Sequence, residues 1–455
     1  MSETTQNQPI QENKMGVMPI NKLLISMSLP MMISMLVQAL YNIIDSIFVS
    51  RISEDALTAV SLAFPVQSLM IAVAAGTGVG VNALLSRRLG EKNLKDVNSA
   101  ATNGIFLYFL SFLAFAVFGM AGAGFFFKTQ TEDPIILAHG TAYLSIVTTL
   151  SFGLFGQIIF ERLLQSTGKT VYSMYAQATG AIINIILDPI LIFGWFGLPR
   201  LEVAGAAIAT VIGQMFAMGL GIFLNLRYNK EISISFKGFR PNGKIIKRIY
   251  AVGFPSIIMQ SISSVMTYGL NQILMGFKET AVAVFGIYFK LQSFIFMPIF
   301  GLNNGMVPII AYNLGARKKE RMVKTVKLAI LYATALMALG LVIMQLMPKE
   351  LLGIFDASAE MLSIGIPALR IISLHFLLAG FCIIVTSVFQ AIGKGFISMF
   401  ISIARQLVVL LPAAYLLSLL GNVNYVWFAF LIAETASLIM CIICLRRVYK
   451  TVLSD

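Results

Sequence analysis

Apolar stretches long enough to cross a lipid bilayer recur twelve times along this chain of 455 residues. A transmembrane helix needs about 20 predominantly apolar residues. The first stretch begins near Lys22 and the last ends near Arg446. Hydrophobic residues make up 58% of the chain and charged residues only 12%, which leaves too little polar surface for a soluble protein of this size. The sequence therefore predicts an all-α integral membrane protein with twelve transmembrane helices.

The cationic residues are concentrated in every second connection between these stretches. The alternate connections carry only Arg51, Lys128, Arg200, Lys278 and Lys349. By the positive-inside rule, this asymmetry predicts that both termini face the cytoplasm. The cation-rich connections contain Arg87 to Lys95, Arg162 and Lys169, Arg227 to Arg248, Arg317 to Lys327, Lys394, and Arg446 to Lys450.

The net charge of +13 therefore reflects the orientation of the chain in the membrane. The sequence has no basic patch interleaved with aromatic residues, so nucleic acid is not expected as a partner. Glu161 adjoins Arg162 at the edge of an apolar stretch and is expected to form a surface ion pair with it. The lipid bilayer is the partner that composition predicts.

An internal repeat divides the chain into two halves. One constant shift, the one that places Pro30 on Pro255, aligns prolines, glycines and polar residues without a gap. Each copy contains six apolar stretches, so both copies enter the membrane from the same side, an arrangement typical of transporters. The predicted organisation is a tail (1–18), an N-terminal six-helix bundle (19–226), a cytoplasmic linker (227–246), a C-terminal six-helix bundle (247–449) and a second tail (450–455). The other aligned pairs include Gly76 with Gly301, Gly80 with Gly305, Gly90 with Gly315 and Gly168 with Gly393.

The fifth apolar stretch carries an acid that demands a physical explanation. Asn184 and Asp188 are four residues apart and thus share one helical face. Pro189 has no N–H to donate, which leaves the carbonyl of Ile185 free beside them. A lone carboxylate in hydrocarbon is costly, so an intramembrane acid is by default a functional candidate. The alternative is a proline kink whose polar groups only contact neighbouring helices.

Further oxygen-bearing side chains lie at a similar depth. The first stretch contains Gln38, Tyr41 and Asp45, and the sixth contains Thr210. Counting about 1.5 Å per residue from the ends of the stretches puts Asp45, Asp188 and Thr210 in the outer half of the membrane. Two carboxylates at one level in a low-dielectric bundle favour capture of a cation, either H+ or Na+.

The second repeat differs in charge. Leu270 stands opposite Asp45, and Ala413 stands opposite Asp188. Its intramembrane charges are instead Lys290, Arg370, Arg405 and Glu434. Together with Gln38, these residues are predicted either to line a substrate cavity or to form a structural charge network.

These features resemble the multidrug and toxic compound extrusion (MATE) family of cation-coupled exporters, in particular its DinF-type branch. The resemblance rests on the two six-helix halves, on Pro30 and Asp45 in the first stretch, and on Asn184 with Asp188-Pro189 in the fifth. It implies that Asp45, Asn184, Asp188 and Thr210 bind the coupling cation, with Tyr41 beside them, and that drugs enter a cavity between the halves. The seventh stretch contains no acid and the tenth no carboxylate, so coupling through the C-terminal half is not expected.

Three classes of function differ in what they require of the sequence. The leading prediction is a secondary active exporter of amphipathic, cationic drugs by antiport with H+ or Na+, acting as a monomer without a cofactor. The alternative is a flippase for lipid-linked oligosaccharides or lipids, for which the C-terminal cations would bind phosphate. An enzyme is disfavoured because the sequence lacks the metal-binding and nucleophile motifs of intramembrane catalysis.

Overall fold

The computed structural model describes residues 12–452, and this part of the chain is helical with no strand. Residues 1–11 and 453–455 of the two predicted tails lie outside the described residues. Ten helices are long and apolar enough to cross a bilayer, and two bent helix pairs complete a set of twelve spans. Spans 1–6, the N-half, are Ile20–Ser50, Glu54–Gly90, Leu94–Ala121, Pro134–Thr149 with Phe152–Ser166, Thr170–Phe193 and Glu202–Tyr228. Spans 7–12, the C-half, are Gly243–Met275, Glu279–Gly315, Lys319–Leu346, Ala359–Ser373 with Phe376–Ala391, Gly395–Ser418 and Phe428–Val452.

Backbone requirements explain the helical architecture and the positions of its ends. In hydrocarbon every N–H and C=O needs a partner within the chain, which a helix supplies. At the ends, polar side chains take over: the Ser53 side chain accepts from the backbone N–H of Ala56 where span 2 begins. Short helices fill the connections: Lys14–Val17, Ala123–Gln130, Trp195–Gly197, Pro348–Gly353 and Val423–Val426.

The two halves repeat each other closely. The shift that relates Pro30 to Pro255 also places both ends of spans 2, 3 and 5 on the corresponding ends of spans 8, 9 and 11. Spans 4 and 10 are the two bent ones, with angles of 43° and 49°. Even the left-handed turns recur, at Lys92 and Arg317 with φ of 56° and 55°, and at Gly168 and Gly393 with φ of 85° at both. The prediction of two parallel six-helix repeats is confirmed.

The halves meet at one face of the bundle, which contains the connections around Lys92, Lys169 and Lys318 and is called the basic face below. Span 2 packs against span 7, and span 8 packs against span 1. Glycines permit this approach, because a Cβ on Gly80 would lie 2.1 Å from the carbonyl oxygen of Ile249, and one on Gly305 would lie 2.7 Å from the Cα of Ser28. The six glycines with the closest approaches, called the inter-half glycines below, are Gly76, Gly80, Gly90, Gly301, Gly305 and Gly315.

The apolar core shows the same division. One continuous cluster joins the C-half to the part of the N-half nearest the basic face, including Leu24, Leu85 and Leu163. A separate cluster, with Val49, Phe127 and Ile192, fills the other end of the N-half. The two halves therefore share a core at the basic face, whereas the opposite end of the N-half has its own.

Two details at the basic face differ from the sequence-based expectations. Residues 12–18 of the predicted polar tail pack against both halves, and Met15 is fully buried.

Arg162 lies within span 4 rather than in a connection, and its Nη1 donates to Asn304 Oδ1 of span 8 at 3.1 Å. Glu161 is buried and accepts from Gln157 Nε2 at 2.9 Å, so the expected surface ion pair with Arg162 is wrong. The two side chains do not pair because adjacent residues on a helix point in different directions.

We expect Gly80→Val to separate the halves at the basic face. The added side chain would collide with the backbone of span 7, and overpacking a tight contact costs about 1–3 kcal/mol. Spin labels at Lys95 and Lys324, both exposed on the basic face, would report a longer distance. Gly286→Val in span 8 is the matched control, because a Cβ there meets nothing within 4 Å. An unchanged distance distribution in Gly80→Val would contradict the described contact.

Candidate cation-binding site

The site begins with an unusually close approach of spans 5 and 6. A Cβ on Gly213 would lie 2.6 Å from the carbonyl oxygen of Gly180, and one on Gly205 would lie 2.5 Å from that of Leu191. Small residues let two membrane helices approach until their backbones touch. This contact brings the polar face of span 5 against span 6.

Three predicted residues meet at this contact. Asn184 Nδ2 donates to Thr210 Oγ1 at 3.2 Å and lies 3.5 Å from Asp188 Oδ1. Asp188 is fully buried and Asn184 is 3% exposed. Asn184 therefore uses its donor group on both neighbours and leaves its carbonyl oxygen available.

Span 1 supplies the second carboxylate. Asp45 and Tyr41 are half-buried on the side of span 1 that packs against span 5. The carboxylates of Asp45 and Asp188 are close enough for their negative charges to act on each other, and both act on the Tyr41 hydroxyl. The five predicted residues of the N-half thus occupy one region.

Unpartnered oxygen atoms define the chemistry of this region. Asp45 Oδ1, Asn184 Oδ1 and Asp188 Oδ2 are each buried without a hydrogen-bond partner within the described structure. Buried polar oxygens without partners are costly, and two neighbouring carboxylates add repulsion. A proton shared by the acids, or a Na+ held by carboxylate and amide oxygens, would relieve both penalties. The donor set fits either cation.

A further pair of residues lies on the same faces of spans 1 and 5. Gln38 Oε1 accepts from Gln177 Nε2 at 3.0 Å. Gln38 is seven residues before Asp45, and Gln177 is seven residues before Asn184. This amide bridge ties span 1 to span 5 two helical turns nearer the basic face than the carboxylates.

Sequence reasoning missed two neighbours of the site. Tyr143 of span 4 is 3% exposed, and its hydroxyl accepts from Gln67 Nε2 of span 2 at 3.0 Å. The charges of Asp45 and Asp188 both act on this hydroxyl. Nothing in the apolar sequence around Tyr143 distinguishes it from other membrane tyrosines, although Gln67 belongs to the aligned repeat positions.

The charged residues of the C-half do not converge in the same way. Arg405 Nη1 forms an ion pair with Glu434 Oε2 at 3.1 Å, and the side chain of Glu434 is 4% exposed. Arg405 lies in a π-helical segment, Ala404–Leu410, within span 11. The acid of the C-half is therefore neutralised by a cation that the chain itself provides.

Lys290 and Arg370 are both exposed. The Lys290 Nζ lies 5.8 Å from the ring centroid of Phe355. Arg370 contributes its carbonyl oxygen to Gln345 Nε2 at 2.7 Å. Neither contact unites these two cations with Arg405.

Comparison with known proteins identifies the family. The MatE family model matches residues 30–190 and 255–416, two stretches whose first residues are the repeat-related prolines Pro30 and Pro255. The chain belongs to the MatE family. The predicted resemblance is thereby confirmed, as is the prediction of a transporter rather than an enzyme.

Individual MATE relatives cover nearly the whole chain. The multidrug export protein MepA of Staphylococcus saprophyticus is 31% identical over 413 residues, which are 90% of this chain and 89% of the relative. MepA of Staphylococcus aureus is 28% identical over 92% of this chain and 91% of its own length. A solved structure of the outward-facing conformation of a multidrug resistance MATE family transporter of the MOP superfamily superposes with a TM-score of 0.91 at 25% identity, covering 98% of this chain and 99% of that one.

For this MATE protein we expect Asn184→Ala to weaken cation binding. If Na+ is the ligand, the wild type should unfold at a higher temperature in NaCl than in choline chloride. At a Na+ concentration ten times the dissociation constant, the free energy of unfolding should increase by about 1.4 kcal/mol. The variant should lose this difference because one oxygen ligand is gone. Asn42→Ala, at an exposed position of span 1, should keep it. An unchanged sodium response in Asn184→Ala would place the bound ion elsewhere.

Proposed function

We propose that this protein is a secondary active multidrug exporter. It would expel amphipathic, cationic drugs in exchange for inward movement of H+ or Na+, through alternating access of its two halves. The observation that carries this proposal is the set of three unpartnered, buried oxygens at Asp45, Asn184 and Asp188. A cluster of oxygens that gains stability by accepting a small cation is the part that an ion-driven exporter requires.

The driving force is adequate in size. One elementary charge that crosses the membrane inward releases about 2.3 kcal/mol per 100 mV, and its concentration gradient adds to this. Export follows if the ion and the drug favour different conformations of one molecule, because each ligand then shifts the conformational equilibrium by its differential affinity.

The contact between the halves supports alternating access. All six inter-half glycines lie towards the basic face, and the cores of the two halves are continuous only there. Opening the opposite face requires no loss of these contacts, whereas opening the basic face breaks them. The similarity to a structure in the outward-facing conformation agrees with this arrangement.

The substrate class rests on the relatives and on the chemistry of the N-half. Both MepA relatives are named multidrug export proteins. An acidic region whose carboxylates have no cationic side chain as partner, within the described structure, favours positively charged compounds over anions. Met32 and Met35, both partly exposed near Pro30, add flexible thioether groups, which suit ligands of varied shape.

The flippase alternative receives no support from the described geometry. A phosphate site would need several converging cations, but Arg405 is paired with Glu434, and Lys290 Nζ lies 5.8 Å from the ring centroid of Phe355. We therefore retain drug antiport as the proposed function.

Dye efflux from inverted membrane vesicles tests the proposal. A pH gradient and a sodium gradient are applied separately, and the one that drives dye accumulation identifies the coupling ion. Asp45→Asn and Asp188→Asn should each reduce ion-driven transport at least about tenfold, since each removes a charge on which ion binding depends. Asp55→Asn at the start of span 2 should transport normally. Wild-type rates and unchanged ion dependence in both site variants would refute antiport at this site.

Topology is a separate prediction that follows from the cation-rich connections. The basic face is proposed to be cytoplasmic, with both termini on that side of a bacterial inner membrane. Cysteines at Lys95 and Lys324 should resist a membrane-impermeant thiol reagent in intact cells, whereas a cysteine at Lys278 should react. Lys278 pairs with Glu360 at 2.7 Å on the opposite face, in an exposed position. Labelling of the basic-face cysteines from outside would invert the proposed orientation.

A further inference from the structure

The segment that precedes span 1 crosses the junction between the two halves at the basic face. It comprises residues 12–19, called the N-terminal strap below, and contains the short helix Lys14–Val17. Its anchor is Met15, a large apolar side chain with no exposed surface. A polar stretch that buries a methionine and contacts both halves is more than a linker to the first span.

On the side of the N-half, the Asn13 side chain makes two hydrogen bonds that hold the strap. Asn13 Nδ2 donates to the carbonyl oxygen of Thr167 at 2.9 Å and to Glu231 Oε1 at 3.3 Å. Thr167 lies in the turn between spans 4 and 5, and Glu231 lies in the connection between the halves, where it also pairs with Lys169 at 3.0 Å. Both bonds depend on the amide group of Asn13.

On the C-half, the strap is held by its backbone. The carbonyl oxygen of Met15 accepts from Asn313 Nδ2 at 3.0 Å and from Arg321 Nη2 at 3.2 Å. Arg321 Nη2 also donates to the carbonyl of Met18 at 2.6 Å, and Lys318 Nζ donates to the carbonyl of Gly16 at 3.0 Å. Lys318 additionally pairs with Glu12. Hydrogen bonds from charged donors are stronger than those between neutral groups.

We propose that the N-terminal strap is a latch that holds the basic face closed and releases at Asn13. This inference rests on the proposed alternating access. When the halves separate at the basic face, one of the two sets of bonds must break, because Thr167 and Arg321 belong to different halves. The set at Asn13 is smaller and neutral on the donor side, so it breaks first. The strap then moves with the C-half, although it leads into the first span of the N-half.

Two further features of residues 12–19 favour the latch. Pro19 directly precedes the first residue of span 1. A Cβ on Gly16 would lie 3.0 Å from the Tyr312 ring, so the absence of a side chain lets the strap lie close to span 8. Arg162, which bridges to Asn304, forms a second polar contact between the halves deeper in the bundle. The strap contacts both halves nearer the surface of the basic face than the Arg162–Asn304 bond does.

Asn13→Asp should remove the hydrogen bonds of Asn13 to Thr167 and Glu231 but keep the cap of the short helix. Asn13 Oδ1 caps the short helix by accepting from the backbone N–H of Met15 at 3.0 Å, and aspartate caps equally well. The substitution removes the donor amide and puts a carboxylate beside Glu231. Asn422 is a matched control, because it caps the four-residue helix Val423–Val426 in the same way and its side chain accepts from Asn424 N at 2.9 Å.

Spin-label distances in the full-length protein, reconstituted in lipid with its three cysteines replaced, test the latch. With labels at Lys95 and Lys324, Asn13→Asp should raise the ratio of open to closed basic-face populations about three- to tenfold, the range expected from loss of one or two ordinary hydrogen bonds. Asn422→Asp should leave the ratio unchanged. An unchanged ratio in Asn13→Asp as well would overturn the latch.

A label at the exposed Val17 tests which half carries the strap. In Gly80→Val, which holds the basic face open, the distance from Val17 to Lys324 should stay constant and that from Val17 to Lys95 should increase. The reverse result would overturn release at Asn13. If neither Gly80→Val nor Asn13→Asp produces an open basic-face population, the proposed alternating access fails together with the latch. If Gly80→Val opens and Asn13→Asp has no effect, only the latch fails.

Discussion

The approach of the two halves through glycine is the constraint on which the rest of this structure depends. At Gly80, Gly90 and Gly315 a single Cβ would come within about 2 Å of a backbone oxygen of the facing helix, a distance that no side chain tolerates. The contact extends from the basic face to about the middle of the bundle, as the approaches at Gly76 and Gly301 show. The proposed roles of the cation site and of the strap both depend on the basic face being the closed end of the bundle.

Duplication has produced two bundles with one backbone plan and different electrostatics. In the N-half, Asp45 and Asp188 lie together, and each has a buried carboxylate oxygen without a partner in the described structure. In the C-half, the positions of those acids are Leu270 and Ala413, and the buried Glu434 has Arg405 as its counter-ion. Glu434 Oε1 is also buried without a hydrogen-bond partner in the described structure, but its charge is offset by Arg405. Two adjacent acids without a counter-ion leave a net negative charge that a cation would offset. This difference in charge is the physical reason for proposing that ion coupling belongs to the N-half.

The site also depends on helix packing outside the residues that carry oxygen. Asn184 meets Thr210 because Gly180 and Gly213 let spans 5 and 6 touch, and the Gln38–Gln177 bridge fixes span 1 against span 5. Positions such as Gly213 therefore support the proposed cation site by allowing the close packing of its helices. The hydrogen bond from Gln67 to the Tyr143 hydroxyl joins spans 2 and 4 in a similar way next to the candidate site.

The sequence by itself determined the twelve spans, the repeat that relates Pro30 to Pro255 and the candidate residues of the N-half, because hydrocarbon requires long apolar helices and penalises any acid placed among them. The first apolar stretch, which begins near Lys22 in the sequence, is the helix Ile20–Ser50 in the structure. Only the tertiary structure decided which charges meet: it paired Arg405 with Glu434, turned Arg162 towards Asn304 and away from Glu161, and buried Met15 in a segment whose composition resembles a solvated tail. These contacts join residues from about 30 to about 300 positions apart, and periodicity along one helix contains no information about what faces it from another.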